Sequence, residues 1–440
     1  MVGLSEKNHN KAVLYGLIAL FVLFGTNTPI AALIAFVIGA IAIVKMDAED
    51  SASLIFFLMP MATIFKLGPN EQSFFTYLEL LYVVVYFLRC RGVVPIQFVP
   101  ILFLTAYIVP TQMIGAQINV TRTIKFVSGF IYLMAVCQMD WRKVHRKVFL
   151  SFIVGVLLSS VYGLMDSTVF HINAYVGQQI QRITDNITIN RFSGLYGDPN
   201  YYSVNLIIAL CLTLALYTKN EIKKTTAIVV SILSVMFIAL TGSKSAMIML
   251  IFPVIVFLYI CAYRKNYILL LISIVMASGF FAALLMGRID LFSNMLIRLK
   301  SATDLNSLTT GRSNEWIRYL NYLGEHPIKL LIGHGIATTV IGGKAPHNTY
   351  IDLLVQLGLI GTGLFIWMLS DLYRFNNDRK QKKIFLNFVV WISMAIMYFF
   401  LSELQYYDFP LHLALGYILM KVDFEDSLNF SGLKGENIYE

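Results

Sequence analysis

The chain has 440 residues, of which 58% are hydrophobic and 13% are charged, and its mean hydropathy is +0.70. Soluble domains contain about 45–50% apolar and about 25% charged residues. Because this composition cannot supply the polar surface that a water-soluble chain of this length needs, soluble enzymes are excluded. The sequence indicates a membrane protein, and its formal charge of +9 must be explained by where Lys and Arg lie.

Apolar segments of helix length follow one another along the chain. A helix that crosses a bilayer needs about 20 mostly apolar residues, because lipid offers the backbone amides no hydrogen-bond partner. The sequence predicts an all-α integral membrane protein: a single membrane domain over residues 1–440, a polytopic helical bundle of about 12–14 transmembrane helices. The first two segments are also compatible with a re-entrant hairpin that turns at residues 25–29. The predicted spans are 12–26, 29–44, 53–67, 72–88, 93–110, 120–138, 148–166, 200–218, 225–241, 245–263, 267–286, 348–370, 384–401 and 405–420.

The basic residues give these spans a direction, because loops rich in Lys and Arg stay in the cytoplasm. With the N-terminus inside, the inner segments hold 21 of the 34 basic residues and the short outer segments hold four. The other nine lie in two long outer segments, 167–199 and 287–347. This distribution predicts that both termini are cytoplasmic. The four basic residues in short outer segments are Lys66, Arg122, Lys125 and Lys244.

The two long outer segments are large enough to carry chemistry, and loops of such length are usually functional. The larger one, outer loop 287–347, is predicted to be partly helical. Apolar residues recur at helical spacing within it and Gly324 ends the pattern, which favours an amphipathic helix over 312–324 on the outer membrane face. The apolar face would consist of Trp316, Tyr319, Leu320 and Leu323.

Four polar motifs fall on the outer side of this topology. They cover residues 191–203, 241–246, 310–316 with Gly333-His334-Gly335, and 346–361. Their common position was not built into the topology, which rests on charge alone. Polar motifs on one side of a membrane indicate one site.

The residue types in these motifs favour the binding of an anion. Arg191 and Arg312 carry forked, permanently charged donors that suit phosphate oxygens. Helices predicted to begin at Pro199-Asn200 and at His347-Asn348 would present free N–H groups to the same anion. His347 can take a proton from an attacking hydroxyl at neutral pH. An anionic substrate with a lipid tail would explain both the basic outer loops and the membrane.

The four motifs together resemble the signature of the O-antigen ligase and polymerase superfamily of bacterial membrane glycosyltransferases. The resemblance covers residues 190–365, about two fifths of the chain, and depends on the order and spacing of the motifs. Members transfer a glycan from undecaprenyl pyrophosphate to an acceptor hydroxyl at the outer face of the bacterial plasma (inner) membrane, without a metal or other cofactor. In agreement with this, the outer segments contain no Asp-x-Asp pair and no His/Glu cluster at zinc spacing.

The resemblance implies roles for individual residues. Arg191 and Arg312 would hold the donor pyrophosphate and stabilise it as the leaving group, while His347 would orient or deprotonate the acceptor hydroxyl. Members often carry Arg in the second motif, where this chain has Lys244, so a direct phosphate contact is less certain there. The predicted substrate-binding residues are Lys244, Asn200, Asn348 and Tyr350.

Structural interpretations stay open for the same residues. Arg191 and Arg312 are also compatible with interfacial side chains that reach lipid headgroups, and His347 with a helix cap. Asp198 before Pro199 favours capping over acid–base work. Other polar residues are interpreted structurally as well: His326 and His334 as loop residues, Tyr201, Tyr202 and Tyr350 as an aromatic belt, Asp47, Glu49 and Asp50 as a solvated inner turn, and residues 403–408 as an outer patch without a defined role.

The leading hypothesis is a polymerase that joins the repeat units of a capsule, exopolysaccharide or O-antigen. A ligase that moves finished polymer to a lipid core or a protein would use the same donor residues. A transporter or flippase is the rival from another class, and the lack of evident charged residues deep within the spans counts against it. The expected partners are an undecaprenyl-pyrophosphate-linked glycan donor, a glycan acceptor and membrane lipid, without nucleic acid; a chain-length regulator stays open.

Overall fold

The computed structural model describes residues 2–25, 28–68, 71–89, 99–114, 120–170, 177–184, 187–263, 311–336, 344–375, 385–402 and 408–421, with the single positions 265 and 271. Over these residues the predicted all-α polytopic fold is confirmed, with the addition of one β-hairpin. The predicted span 267–286 (apart from 271), residues 287–310 and 337–343 of the predicted outer loop and residues 403–407 of the predicted outer patch lie outside the described residues.

Helices account for most of the described residues. In chain order they are α1 (Val2–Gly25), α2 (Pro29–Lys45), α3 (Ala48–Leu58), α4 (Phe74–Arg89), α5 (Val99–Ile114), α6 (Val120–Cys137), α7 (Trp141–Met165), α8 (Pro199–Thr218), α9 (Lys224–Thr241), α10 (Lys244–Tyr263), α11 (Arg312–Glu325), α12 (Pro327–Ile332), α13 (Thr349–Phe375), α14 (Phe385–Phe399) and α15 (Asp408–Lys421). A 3₁₀ turn (Met59–Met61) follows α3 and a π-helical turn (Asp166–Phe170) follows α7.

Thirteen of the fourteen predicted spans fall on described helices. Six stretches are long and apolar enough to cross a membrane, and four shorter apolar helices accompany them among the described residues. The total of 12–14 spans stays a prediction. The six stretches are Val120–Cys137, Val144–Val169, Pro199–Thr218, Lys224–Thr241, Lys244–Ala262 and Thr349–Leu372.

Helix α8 lies at the centre of the bundle. Nearly all its residues are buried, and it packs against α7, α9, α10 and α14. Helix α9, by contrast, leaves large apolar side chains uncovered, such as Val229 and Ile232, which are 55% and 62% exposed. Such a surface is unfavourable in water and natural in lipid, where helices need no polar outer face.

Helices α7 to α10 run antiparallel to one another in sequence, so the end of one helix lies beside the start of the next. The start of α8, the end of α9 and the start of α10 lie at one end of the bundle, which we call the site end. The start of α7 and the end of α8 lie at the opposite end, which we call the far end, where His145 and Glu221 approach to 2.7 Å. This grouping agrees with the charge-based topology, since all four polar motifs fall at the site end.

The far end contains a buried ion cluster. Asp50 is 1% exposed and pairs with both Lys11 and Lys147, while Asp47 caps α3 by accepting a bond of 2.7 Å from the Asp50 amide. The prediction that Asp50 belongs to a solvated turn is therefore wrong. Its partners lie on α1 and α7, and sequence proximity gives no indication of either.

A β-hairpin connects α7 to α8, within the predicted outer segment 167–199. Strand β1 (Gly177–Thr184) pairs antiparallel with β2 (Ile187–Gly194), and Arg191 lies opposite Gln179. Strand β2 leads into α8 and packs on α7, α8 and α9, so the hairpin positions the first motif.

Candidate active site

The first motif bends from β2 into the start of α8. Asp198 is the N-cap, and its Oδ1 accepts 2.6 Å from the Asn200 amide and 2.9 Å from Asn200 Nδ2. Pro199 occupies the first turn, where its missing N–H costs no hydrogen bond. The predicted helix start and the capping role of Asp198 are both confirmed.

Arg191 lies inside the protein at this bend. Its side chain is 4% exposed, with Nη2 donating to Asn200 Oδ1 over 2.9 Å and Nε donating to the Thr241 carbonyl over 2.9 Å. This burial disagrees with a side chain that reaches lipid headgroups. Both of these acceptors are neutral oxygens, and they fix the orientation of the guanidinium. The predicted binding residue Asn200 thus positions Arg191 relative to Asp198.

The second motif adjoins Arg191. Gly242 ends α9 at a left-handed φ of +57°, and a Cβ built there would lie 3.8 Å from Arg191 Nε. Lys244 begins α10 two residues later and is half-buried. The fold therefore brings the first two motifs together, as their common side predicted.

Helix α11 carries Arg312 into the same end of the bundle. Its Nη1 donates to the Phe400 carbonyl, and the guanidinium interacts electrostatically with Asp198 and Tyr201. Burial lowers the pKa of Arg312, and Asp198 and Tyr201 oppose that shift. A guanidinium remains charged at neutral pH despite such a change. Two arginines from separate motifs are therefore linked to Asp198, Arg191 through Asn200 and Arg312 through an electrostatic interaction.

His347 lies beside this pair. It is half-buried and has a left-handed φ of +49°. Burial is the main cause that lowers the pKa of His347; Arg312 lowers it further, while Asp198 and Glu315 raise it. The imidazole is therefore largely neutral at pH 7 and able to accept a proton. The left-handed backbone places it just outside α13 rather than within it.

The capping role that was open for His347 belongs to its neighbour Asn348. Asn348 is 3% exposed, and its Oδ1 accepts from the amides of Tyr350 and Ile351 over 3.0 and 3.1 Å. Tyr350 donates its hydroxyl to the Ala395 carbonyl over 2.7 Å and is 44% exposed. These bonds give Asn348 and Tyr350 structural roles. The predicted contacts of both residues with the substrate stay predictions.

Three consecutive carbonyls at the end of α14 hold the site together. Besides the bond from Arg312 to Phe400, the Thr349 hydroxyl donates to Leu401 over 2.6 Å and the Tyr201 hydroxyl to Ser402 over 3.2 Å. Residues 400–402 thereby join α11, α13 and α8. No motif in the sequence indicates this segment, because backbone carbonyls have no side-chain signature.

Helix α11 also fixes the approach to His347. Trp316 donates from Nε1 to the Pro346 carbonyl over 2.9 Å, and Tyr319 donates to the Lys344 carbonyl. Tyr319 and Leu323 pack against α13, whereas Leu320 is 51% exposed. The predicted position of this helix on the outer membrane face stays a prediction.

Helix α13 is broken at Gly358, where φ is +65°. The break frees two carbonyls, and the segment after α12 satisfies them: His334 N–H donates to Val355 and Gly335 N–H donates to Gln356, each over 2.9 Å. A Cβ at Gly333 would lie 2.4 Å from the Gln356 oxygen, so the two backbones can meet only without side chains. A broken helix within a membrane requires such partners. The third and fourth motifs are therefore joined by their backbones.

His334 supports the backbone contact between residues 333–335 and α13, and it is not one of the candidate catalytic residues. Its Nε2 lies 2.8 Å from the Tyr322 hydroxyl, and burial lowers the pKa of His334 to about 4. His326 bonds through Nδ1 to the Tyr322 carbonyl over 2.9 Å. These contacts agree with the interpretation of both histidines as structural. Across the described ranges, no three His, Cys, Asp or Glu side chains are grouped so as to hold a metal ion.

The fold and the site define a polytopic membrane protein with a cationic site at one end of its helix bundle. The family described as O-antigen ligase matches residues 227–366, which include the second, third and fourth motifs. This match covers about a third of the chain and supports the resemblance to the O-antigen ligase/polymerase superfamily that the motifs predicted, a family of membrane glycan transfer of the ligase or polymerase type. Neither the curated proteins nor the solved structures contain a match.

Proposed function

We propose that the protein transfers a glycan from undecaprenyl pyrophosphate to an acceptor sugar hydroxyl, and that it thereby polymerises the repeat units of a surface polysaccharide. The observation that carries the proposal is the convergence of Arg191, Arg312 and His347 around Asp198. Fixed guanidinium groups beside a neutral imidazole suit the departure of a diphosphate from a sugar while a hydroxyl attacks.

In this mechanism His347 accepts the proton of the acceptor hydroxyl. The hydroxyl oxygen bonds to the anomeric carbon of the donor sugar, and the bond from that carbon to the diphosphate oxygen breaks. The electron pair leaves with the lipid diphosphate, where Arg312 and Arg191 stabilise the growing negative charge. The protonated imidazole then releases its proton to water before the next cycle.

Two helix starts add to the positive potential of the proposed site. Helix α8 begins at Pro199, next to Asn200, and the first half of α13 runs from Thr349 to the break at Gly358. The N-terminal N–H groups of a helix carry partial positive charge and favour an anion nearby. Both starts lie at the site end, so they support the same ligand as the arginines.

We infer that the site end faces outward from a bacterial plasma membrane. The support is the distribution of basic residues, of which 21 fall in the segments that the charge-based topology places inside. Both termini are then cytoplasmic. Cysteine labelling from either side of sealed vesicles would test this orientation.

A transfer assay with purified protein tests the activity. Reconstituted protein given lipid-diphosphate-linked repeat units should produce elongated lipid-linked chains. A product formed only on a different lipid or protein acceptor would establish the ligase alternative, which uses the same donor residues. Flipping of the lipid-linked glycan across proteoliposomes without any glycosidic bond would contradict both.

The transporter alternative is stronger than the sequence suggested. Glu79 and His412 are fully buried within α4 and α15, so the expectation that the spans lack deep ionisable residues is wrong. The proteoliposome measurement is for this reason a necessary part of the assay.

A further inference from the structure

An apolar groove runs between α8, α9 and α10, along the halves of α8 and α9 that are nearest the far end. It encloses about 220 Å³, and apolar atoms form almost all of its lining. Helices α9 and α10 both pack against α8 but make little contact with each other, so the groove occupies the gap between them. None of the described residues that line it belongs to the candidate active site.

One face of α9 forms a wall of the groove. Ala227, Ser231 and Val235 follow one another at intervals of four residues, which is the spacing of residues on one helix face. Ile228 of α9 and Val254 of α10 also line the groove, and both side chains are exposed. Because α9 is long and apolar enough to cross a membrane, exposed side chains here face hydrocarbon. The groove is therefore open to membrane lipid.

The length of the groove matches one leaflet of a bilayer. Its lining on α9 extends from Lys224, the first residue of the helix, to Val235. At about 1.5 Å per residue, this stretch is about 16 Å long, and half of a hydrocarbon core of about 30 Å is about 15 Å. Residues 236–241 of α9 separate the groove from the site end. A lipid chain that enters from the far end therefore fits the groove over its whole depth.

The charged residue of the groove lies at its far end. Among the described residues that line the groove, Lys224 alone is charged, and its side chain is exposed. Lys223 precedes it as the N-cap of α9, and the Lys223 side chain makes no capping bond. The first N–H groups of a helix carry partial positive charge, which adds to the charge of the lysine. This end of the groove thus favours an anionic group at the depth of a lipid headgroup.

Hydrocarbon is the occupant that an apolar groove in a membrane favours, since a buried water needs about two to four hydrogen-bond partners. A lipid whose anionic group lies at the site end would bring hydrocarbon, but no charge, to Lys224. A phospholipid of the leaflet at the far end brings both a chain as long as one leaflet and a phosphate beside the lysine. The length of the groove and the position of its charge therefore favour a phospholipid over an isoprenoid tail.

We propose that the groove binds one acyl chain of an anionic phospholipid, whose phosphate contacts Lys224 and the start of α9. The bound chain fills the gap between α9 and α10 and so supports the packing of both helices on α8. Helix α9 ends at Thr241, whose carbonyl accepts the bond from Arg191 Nε, so the lipid stabilises an element that holds the candidate active site. Lipid binding itself does not depend on the proposed function.

Lipid affinity of the full chain tests the groove. The protein in detergent micelles is titrated with phosphatidylglycerol and with phosphatidylcholine of the same acyl chains, and native mass spectrometry gives the affinity of the first bound molecule. The wild type should bind phosphatidylglycerol about fivefold more tightly, the effect of one lysine beside an anionic headgroup. Equal affinity for the two lipids would overturn the proposal.

Two variants test the two parts of the groove. Lys224→Gln removes the cation and should abolish the preference for phosphatidylglycerol, while phosphatidylcholine binds as before. Ser231→Trp places an indole in the groove and should weaken the binding of both lipids at least tenfold. Because Lys224 is exposed, its replacement leaves the folding of α9 intact. A preference that survives Lys224→Gln, or normal lipid binding by Ser231→Trp, would contradict the assignment.

Matched controls separate the groove from general effects on the helix bundle. Val229→Trp introduces the same side chain at an exposed position of α9 outside the groove lining, and this variant should bind lipid as the wild type does. Lys45→Gln removes an exposed lysine at the end of α2 and should keep the preference. If the controls lost as much binding as Ser231→Trp and Lys224→Gln, the groove would not be the binding site.

Two other occupants would each refute the phospholipid with a distinct result. If undecaprenyl phosphate displaced phosphatidylglycerol from the wild type and bound equally well to Lys224→Gln, the groove would hold an isoprenoid tail. If the wild type were a dimer without retained lipid, and Ser231→Trp dissociated it, the groove would hold a second copy of the chain.

Discussion

The two ends of the helix bundle treat buried charge in opposite ways. At the far end Asp50 pairs with Lys11 and Lys147, and His145 lies 2.7 Å from Glu221. At the site end Arg191 and Arg312 are held by backbone carbonyls and an amide oxygen. At the far end direct ion pairs with carboxylates stabilise the packing of the helices, whereas at the site end neutral oxygens fix the orientation of the two guanidinium groups. The difference separates charge that stabilises the fold from charge that serves the proposed site.

The largest expected effect belongs to His347. His347→Ala should lower transfer by about 10²–10⁴-fold, because general base catalysis contributes that much, and should leave the unfolding temperature unchanged. Single-turnover product formation measures it. His326→Ala is the matched control, since His326 is exposed and bonded within its own helix turn, and its rate should stay normal. Equal losses in both variants would contradict the site.

Arg312→Gln should lower transfer by about 10²–10³-fold, the effect of removing one group that stabilises the leaving charge. Arg312→Lys should recover only part of the rate, because an ammonium cannot replace the fork. The control lies on the same helix: Arg318 is 45% exposed and paired with Glu315 at 3.0 Å. If Arg318→Gln were as inactive as Arg312→Gln, the loss would reflect the net charge of α11 and not the position of Arg312. That result would contradict the proposed role of Arg312.

The far end should respond in stability rather than in rate. Asp50→Asn leaves two lysines without their buried partner and should lower the free energy of unfolding by about 3 kcal/mol, near the low end for a buried pair since the lysines are partly exposed. Thermal unfolding in detergent measures this loss. The folded fraction should keep its transfer rate; a selective loss of rate would break the comparison.

Gly358→Ala should destabilise the break in α13 by about 1–3 kcal/mol, because alanine is strained at positive φ and its Cβ would meet the Leu331 oxygen at 2.5 Å. Gly363→Ala is the control, since a Cβ there meets nothing within 4 Å. Unfolding temperatures of the two variants give the result. Similar temperatures would show that the contact between Gly333 and Gly358 is dispensable.

The smallest effect concerns pH. Because burial lowers the pKa of His347, transfer should persist below the ordinary histidine pKa of about 6.5 and fall as pH drops through the lowered value. Glu315 raises the pKa of His347, so Glu315→Gln should move the acid limb to lower pH by a fraction of a unit. Rates between pH 4 and pH 8 measure both. An acid limb above pH 6.5 would contradict the burial of His347.

Local features were predictable from the sequence. Apolar length placed thirteen spans on helices, and capping chemistry placed Asp198 at the start of α8. These two inferences succeed because helix length and capping depend on neighbouring residues. The common side of the motifs predicted a single site, and the catalytic roles of Arg191, Arg312 and His347 in it stay predictions.

Features that depend on distant backbone could not be predicted. The carbonyls of residues 400–402 carry no side-chain pattern, and Asp50 finds Lys11 across 39 positions. For the contact between Gly333 and Gly358, the sequence shows only that each glycine belongs to a motif, and not that the two motifs touch. In each case the partner is chosen by tertiary packing, which a single sequence does not display.

One paired measurement tests the contrast between the two ends most directly. Single-turnover transfer and unfolding temperature are determined for Arg312→Gln and Lys147→Gln in the same membrane preparation. The account predicts that Arg312→Gln loses transfer at least 100-fold at an unchanged unfolding temperature. It predicts that Lys147→Gln loses stability while its folded fraction transfers normally. The reverse pattern, or losses of both kinds in both variants, would contradict it.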